Sequence, residues 1–414
     1  MANTFITTSL ILQESLEVLR NNLQFARYVT REYDSQFARA GAKVGSTINA
    51  RKPPKYMGGY GDGLHVEDIV ETPTPITVDQ LFGVHLNYSD QDLTLTMDRF
   101  RPRYIEPAAA RIANEIDAVG LRTLIRQIYN AAGTPGTVPN TSLTYLNAGV
   151  ALDNTGTPRR GRNARTAIIG SQMQATLVNA LQGLFQSSNR IREQYEDGEM
   201  GQSLGLNFSM DQNIPTHTVG ALGGTPLVNG ANQTGTSLIS DGWTASVTNV
   251  LRQGDIFTLG TGTASVFGVK PQTAASDGAT STGVLQQFVV TDNVNSDASG
   301  NATIPISGNI TPSGAFQTVT QSPPDDAAIT VLGAANTVTP TGLAFHRNFA
   351  TLVSVDLEAV RGVDMMGRIA DDELGIAMRL VRAFDINTNR RPTRLEVLFG
   401  WALLYAEMAC RIQS

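Results

Sequence analysis

The chain has 414 residues, enough for two or three domains at the usual size of about 150 each and for a full hydrophobic core. Charged residues are 16% of it and the net charge is −6, which excludes a basic nucleic-acid reader, because neutralising phosphates needs clustered Lys and Arg. A charge fraction below the roughly 25% of an ordinary soluble domain leaves surface that is neutral or covered by partners.

Leu12, Leu16, Leu19, Leu23 and Ala26 recur at steps of four and three, which predicts an arm or docking helix with one apolar face. From Lys43 to Val78 the pattern becomes a long hairpin. Its tip is rich in Gly and Pro, with Arg51, Lys52 and Lys55 near the tip and Asp62, Glu67, Asp68 and Glu71 on the return side. It has too few large apolar residues for a core of its own, so it is expected to lie on something else. A return strand over 81–88 follows. Ser89-Asp90-Gln91-Asp92 has the form of a capping box and predicts a short helix to about Phe100. Pro107 then opens the strongest helix, 106–131, with Ile105, Ala109, Ile112, Ile116 and Val119 on one face and Gly120 as an interruption. At about 1.5 Å per residue it would be a strut roughly 39 Å long.

Past a turn-rich break at 133–140 the signals alternate: helix 143–152, strand 166–170, helix 172–184, a charged stretch 190–199, and a strand 204–210. At Ala221 the composition shifts. From there to Thr341 the basic residues are Arg252 and Lys270 alone, Gly, Ser, Thr, Asn and Val dominate, and strands are expected at 245–250, 256–259, 284–291 and 302–306. This reads as a separate all-β barrel or sandwich. After Thr341 helix and strand signals return over 345–360, then buried strands 376–386 and 395–404 with 387–392 as their turn. The order describes one domain interrupted by another.

Chemistry-bearing patterns are sparse. Gly201-Gln202-Ser203-Leu204-Gly205 matches a nucleophile elbow, with Asp211 and His217 following, but it lies between a helical stretch and a strand, the reverse of the order an elbow needs. His65, His85, His217 and His346 form no metal-pair spacing, and Cys410 is the lone cysteine, so no disulfide within the chain is possible. Asp371-Asp372-Glu373 and Asp325-Asp326 read as solvated loops, and Gly260-Thr261-Gly262 lacks a dinucleotide-binding frame. No catalytic, cofactor-binding or metal-binding residue is expected, and no cofactor. The start, Met1-Ala2-Asn3-Thr4-Phe5, has no basic stretch before an apolar core, and the longest apolar run, 397–406, is about half a membrane span, so the expectation is a chain made and kept in the cytoplasm, with no membrane partner.

Several stretches, in this order, carry a resemblance. They are Ser89, Gln91 and Leu93 leading into Tyr104-Ile105-Glu106-Pro107-Ala108-Ala109-Ala110 and Ala113-Asn114-Glu115-Ile116-Asp117; Gly201 to Asn207 running on to Asn213-Ile214-Pro215-Thr216-His217-Thr218; Gly254-Asp255-Ile256-Phe257-Thr258 and Gln286-Gln287-Phe288-Val289-Val290; then Ala344-Phe345-His346 and Arg391 to Gly400. The chain resembles the major capsid (coat) proteins of tailed bacteriophages, an α+β, HK-ninety-seven-like fold in the branch with an inserted all-β, barrel-like domain. The resemblance implies an N-terminal arm (1–46), an extended loop over a neighbouring subunit (47–80), a peripheral domain with a spine helix (81–135), an axial domain (136–220), the inserted β domain (221–341) and a return to the axial and peripheral domains (342–414). It further implies a homo-oligomer of hexamers and pentamers in an icosahedral shell. That shell would be assembled in the bacterial host cytoplasm with a scaffolding protein and a portal, and would enclose double-stranded DNA without sequence-specific binding. A Lys–Asn crosslinking motif of some relatives is not matched. An adhesin-like β-rich binding module, and less so a serine hydrolase, are the alternatives.

Overall fold

The computed structural model describes residues 8–31, 47–58, 61, 64, 66, 68–69, 71–89, 106–159, 165–181, 202–271, 280–370, 375–387 and 390–414. The expected capping-box helix, the charged stretch 190–199, most of the hairpin tip, His65 and Asp371-Asp372-Glu373 lie outside these. The chain divides into two compact units. The first comprises Met1–Ala50, Pro73–Gly120 and Ala350–Leu404; the second comprises Arg51–Thr72, Leu121–Phe349 and Tyr405–Ser414.

In the first unit, helix α1 (Thr8–Asn22) buries Leu12 and Leu19, the stripe read from the sequence, with Leu23 buried just beyond its end. The 14-residue strand Arg390–Leu403 is the hub of an antiparallel sheet. Strands Gln80–Ser89, Ala377–Arg382 and Ala350–Val355 all pair with it, and Met365–Ala370 adds beyond Ala377–Arg382. The expected turn 387–392 is shorter than read: Arg390 already bridges Asp385, and Pro392 lies within the strand, its carbonyl accepting the Ala383 N–H. The helix signal near 345–360 resolves into a single 3-10 turn, Arg347–Phe349, followed by the fully buried strand Ala350–Val355.

The strut helix is α2, Glu106–Ile125, 20 residues or about 30 Å. It ends before Ala131 because the chain tightens through i→i−3 bonds at Gln127 and Ile128. Ala131–Ala132 then forms an edge strand beside Ala409–Gln413. Gly120 does not interrupt the helix. A Cβ there would lie 2.5 Å from the Trp401 ring, so glycine makes room for the indole, which stacks on Phe25 and donates to the Ile116 carbonyl at 3.1 Å. Ile112 and Ile116 are wholly buried. Truncating either to Ala is expected to cost about 2–5 kcal/mol. Urea unfolding of the soluble subunit measures this, and a wild-type midpoint in the double variant would remove that face from the core.

The second unit holds a mixed sheet in the order Ala131–Ala132, Ala409–Gln413, Val338–His346, Arg165–Ile169, Leu206–Met210, Gln202–Ser203, with Thr216–Thr218 pairing the start of Val338–His346. Helices α3 (Ser142–Asn154) and α4 (Ser171–Leu181) accompany it, and Tyr145, Leu152, Ile169, Leu177 and Ile412 share its core.

A six-stranded antiparallel sheet follows in the order Ile329–Val331, Ile256–Leu259, Gln287–Val290, Ala302–Ile310, Gly235–Trp243, Gly224–Val228. Its two edges meet: Val228 donates its N–H to Ala327 and accepts from Asp326, both at 3.0 Å. That makes it barrel-like, around Leu238, Phe257, Phe288 and Ile304. The strand expected at 245–250 is absent, because Ser246 and Asn249 adopt positive φ, which a strand excludes. The strand Gly235–Trp243 went unread because its Gly and Ser content looks like turn, although Leu238 and Ser240 alternate inward. Entry and exit of the barrel lie side by side, Val219 donating to Thr337 and Asn336 to Gly220. With a core of its own, a fragment 221–341 is expected to melt cooperatively. Random-coil circular dichroism would refute that.

Candidate functional site

The Gly-x-Ser-x-Gly pattern does not build a nucleophile elbow. Ser203 pairs with Leu206 across a two-residue turn in which Leu204 and Gly205 both take positive φ, a tight hairpin between two strands. Asp211 Oδ1 accepts the Asn213 N–H, and His217 Nε2 is committed to Asp255 Oδ1 at 2.8 Å. Among the described residues no group of three or more His, Cys, Asp or Glu could hold a metal. Cys410 is fully buried, and burial pushes its thiol up to about 12. His85 lies on the Arg394 and Glu396 side chains.

His346 is buried, and its Nδ1 accepts the Asn348 N–H. Burial, then the charges of Arg165 and Arg347, hold it below its ordinary 6.5. The unfolded chain therefore binds the proton more readily. The stability this gives is complete above pH 6.5 and is lost as pH falls through the lowered value. His346→Asn keeps an acceptor and cannot charge. Urea midpoints of the dissociated subunit should fall less steeply below pH 6.5 in the variant than in the parent, and parallel curves would exclude the effect.

What the sequence did not reveal is a buried polar joint at the root of the barrel. Asp255 accepts the N–H groups of Gly220 (3.0 Å) and Arg252 (2.7 Å) as well as His217. Arg411, fully buried, donates Nη1 to the Gly254 carbonyl at 2.6 Å. Burial pulls its guanidinium down to about 9, with the Asp255 carboxylate opposing. Gln287 doubles as a strand: its amide accepts the Ala131 N–H at 2.7 Å and donates to the Ala131 carbonyl at 3.1 Å.

The conspicuous surface is the hairpin loop, residues 52–72. Lys52 donates its N–H to the Thr72 carbonyl at 3.1 Å, and Arg51 pairs with Glu71 within the hairpin itself, at 3.3 Å. Lys52 lies over Tyr405 and Lys55 over Phe316, so the base of the loop does rest on its own unit. Beyond, Leu64 is 91% exposed, Val66 79% and Ile69 69%.

A sequence model described as P22 coat protein, gene protein 5, matches residues 1–412. The chain belongs to the P22 coat protein family. It is therefore a phage major capsid protein, a structural shell subunit. Its α+β architecture with a barrel-like sheet is the fold class expected. No curated protein sequence matches the chain. Among solved structures it is similar to the capsid of Ralstonia phage GP4 (7% identity, TM-score 0.44, covering 94% of this chain and 88% of that one). It is also similar to Mycobacterium phage Che8 (12%, 0.41, 94% and 90%) and to the capsid of cyanophage P-SCSP1u (12%, 0.40, 90% and 83%).

Proposed function

We propose that the chain tiles an icosahedral, HK-ninety-seven-like shell as hexamers and pentamers around a double-stranded DNA genome, without chemistry of its own. The observation that supports this most is the loop at 52–72, in which Leu64, Val66 and Ile69 are 91%, 79% and 69% exposed. A free monomer gains nothing from such a segment, whereas a neighbouring copy would bury it. In this reading 1–46 is an arm, 47–80 the extended loop, 81–135 with α2 the peripheral domain, 136–220 the axial domain, 221–341 the inserted domain, and 342–414 the return to the first two. Assembly in the host cytoplasm would use a scaffolding protein and a portal. The genome would be enclosed without sequence reading, in keeping with the acidic net charge of −6.

Negative-stain micrographs of the chain, expressed alone and with a scaffolding protein, test this. Closed shells or ring-shaped capsomers are expected. A uniform monomer under both conditions would overturn the reading.

A further inference from the structure

The barrel closes where residues 228–233 run past 323–327. Besides the two bonds of Val228, Asn232 donates its N–H to the Pro323 carbonyl at 3.2 Å. At this seam stands Asn229-Gly230, the one Asn-Gly pair in the sequence. Asn229 is exposed, and its side-chain amide has no hydrogen-bond partner among the described residues. Gly230 takes a φ of +94°, and a Cβ there would meet nothing within 4 Å. Its backbone N–H is donated to Asp325 Oδ1 at 2.7 Å. The Gln233 side chain holds the carbonyls of Asn229 and Gly230, at 2.8 and 3.1 Å.

Glycine after asparagine leaves the backbone nitrogen unshielded from the side-chain carbonyl carbon that precedes it. The Gly230 nitrogen gives its proton to hydroxide, bonds to Asn229 Cγ and expels the side-chain nitrogen as ammonia, which closes a succinimide. Water then opens that ring at either carbonyl and leaves aspartate or isoaspartate, so one water is consumed for each ammonia released. The demanding step is the one that makes the Gly230 nitrogen anionic. A hydrogen bond to its protonated form and a carboxylate 2.7 Å away both disfavour that anion. We infer that Asn229 is a site of spontaneous deamidation, and that Asp325 is the positioning residue that holds it back in the folded chain. Conversion adds a charge next to Asp325 and, as isoaspartate, one methylene to the main chain, both at the seam that closes the barrel. The chemistry needs only the folded subunit and is independent of how copies assemble.

Subunits of the full chain held in mildly alkaline buffer test this. Peptide mapping by mass spectrometry follows the amide-to-acid conversion of Asn229, and methyltransferase labelling reads its isoaspartate. In urea the parent should convert at Asn229 ahead of its other asparagines, and in the folded state at least tenfold more slowly. Folded Asp325→Ala should convert about tenfold faster than the folded parent, what one hydrogen bond to a charged group is worth. Asp325→Asn, which keeps an acceptor and drops the charge, should convert faster than the parent and slower than Asp325→Ala. Hydrogen exchange separates a lost guard from an opened seam. In Asp325→Ala the Gly230 amide should lose protection while those of Val228 and Asp326 keep theirs. An Asp325→Ala rate equal to the parent's would overturn the proposal, as would an Asn229 inert even in urea. Faster conversion with Val228 and Asp326 also exchanging freely would overturn the role of Asp325, by assigning protection to the fold as a whole.

Discussion

Replacing Asp255 with Ala is expected to lower the stability of the soluble subunit by about 3–5 kcal/mol, the usual cost of removing one member of a buried charged set. The carboxylate is 2% exposed and satisfies two backbone N–H groups and one imidazole. Without it the Gly220 and Arg252 N–H groups lose their acceptor, at about 1–3 kcal/mol for each donor left buried and unmade. Arg411 also keeps its buried charge with no anion to offset it. Gly220 fits the joint tightly: a Cβ there would meet the Val250 carbonyl at 2.5 Å and the Asp255 carboxylate at 2.9 Å. Adding Arg411→Met should recover part of the loss, since an apolar side chain of similar reach removes the uncompensated charge. Urea unfolding of the parent, the single and the double variant gives the cycle. A single variant within about 0.5 kcal/mol of the parent, the range of an ordinary surface substitution, would mean that the joint does not hold the barrel to the mixed sheet.

That joint also shows where sequence reading stops. The periodic features were legible: the α1 stripe, the α2 face with Ile112 and Ile116, the strand at Ile256–Leu259, and the change of composition at Ala221, because each is carried by neighbours in sequence. Asp255, His217 and Arg411 stand far apart in the chain, and nothing local marks any of them as buried. Asp117 is a second case. It was read only as one letter of a resemblance, yet its carboxylate accepts the N–H groups of Gln24, Phe25 and Ala26, more than ninety residues away, at 2.7–3.1 Å. Gly120 misled for the same reason. Its cause is the Trp401 ring, a long-range neighbour.

Deleting residues 52–63 is expected to leave a folded, soluble subunit that forms no stable shells. The loss to the free subunit is small. The segment's cation–π contacts with its own chain, Lys52 over Tyr405 and Lys55 over Phe316, are worth about 0.5–1 kcal/mol each at exposed sites. The Arg51–Glu71 pair is exposed on both sides and adds about 0–1 kcal/mol. The loss to the shell is large. Shortening the loop withdraws Leu64, Val66 and Ile69 from any neighbour they reach, and burying each side chain fully stabilises by about 1.5–3 kcal/mol. A shell repeats that contact at every subunit, so a deficit per copy is multiplied. A companion variant, Leu64→Ser with Val66→Ser and Ile69→Ser, keeps the loop's length and charge and should fail in the same way, separating apolar contact from mere reach. Urea midpoints of the subunits and sedimentation of the assembled products measure the two halves of the expectation. Shells from either variant as resistant to heat and salt as the parent's would show that the loop is a solvated surface feature with no part in holding copies together.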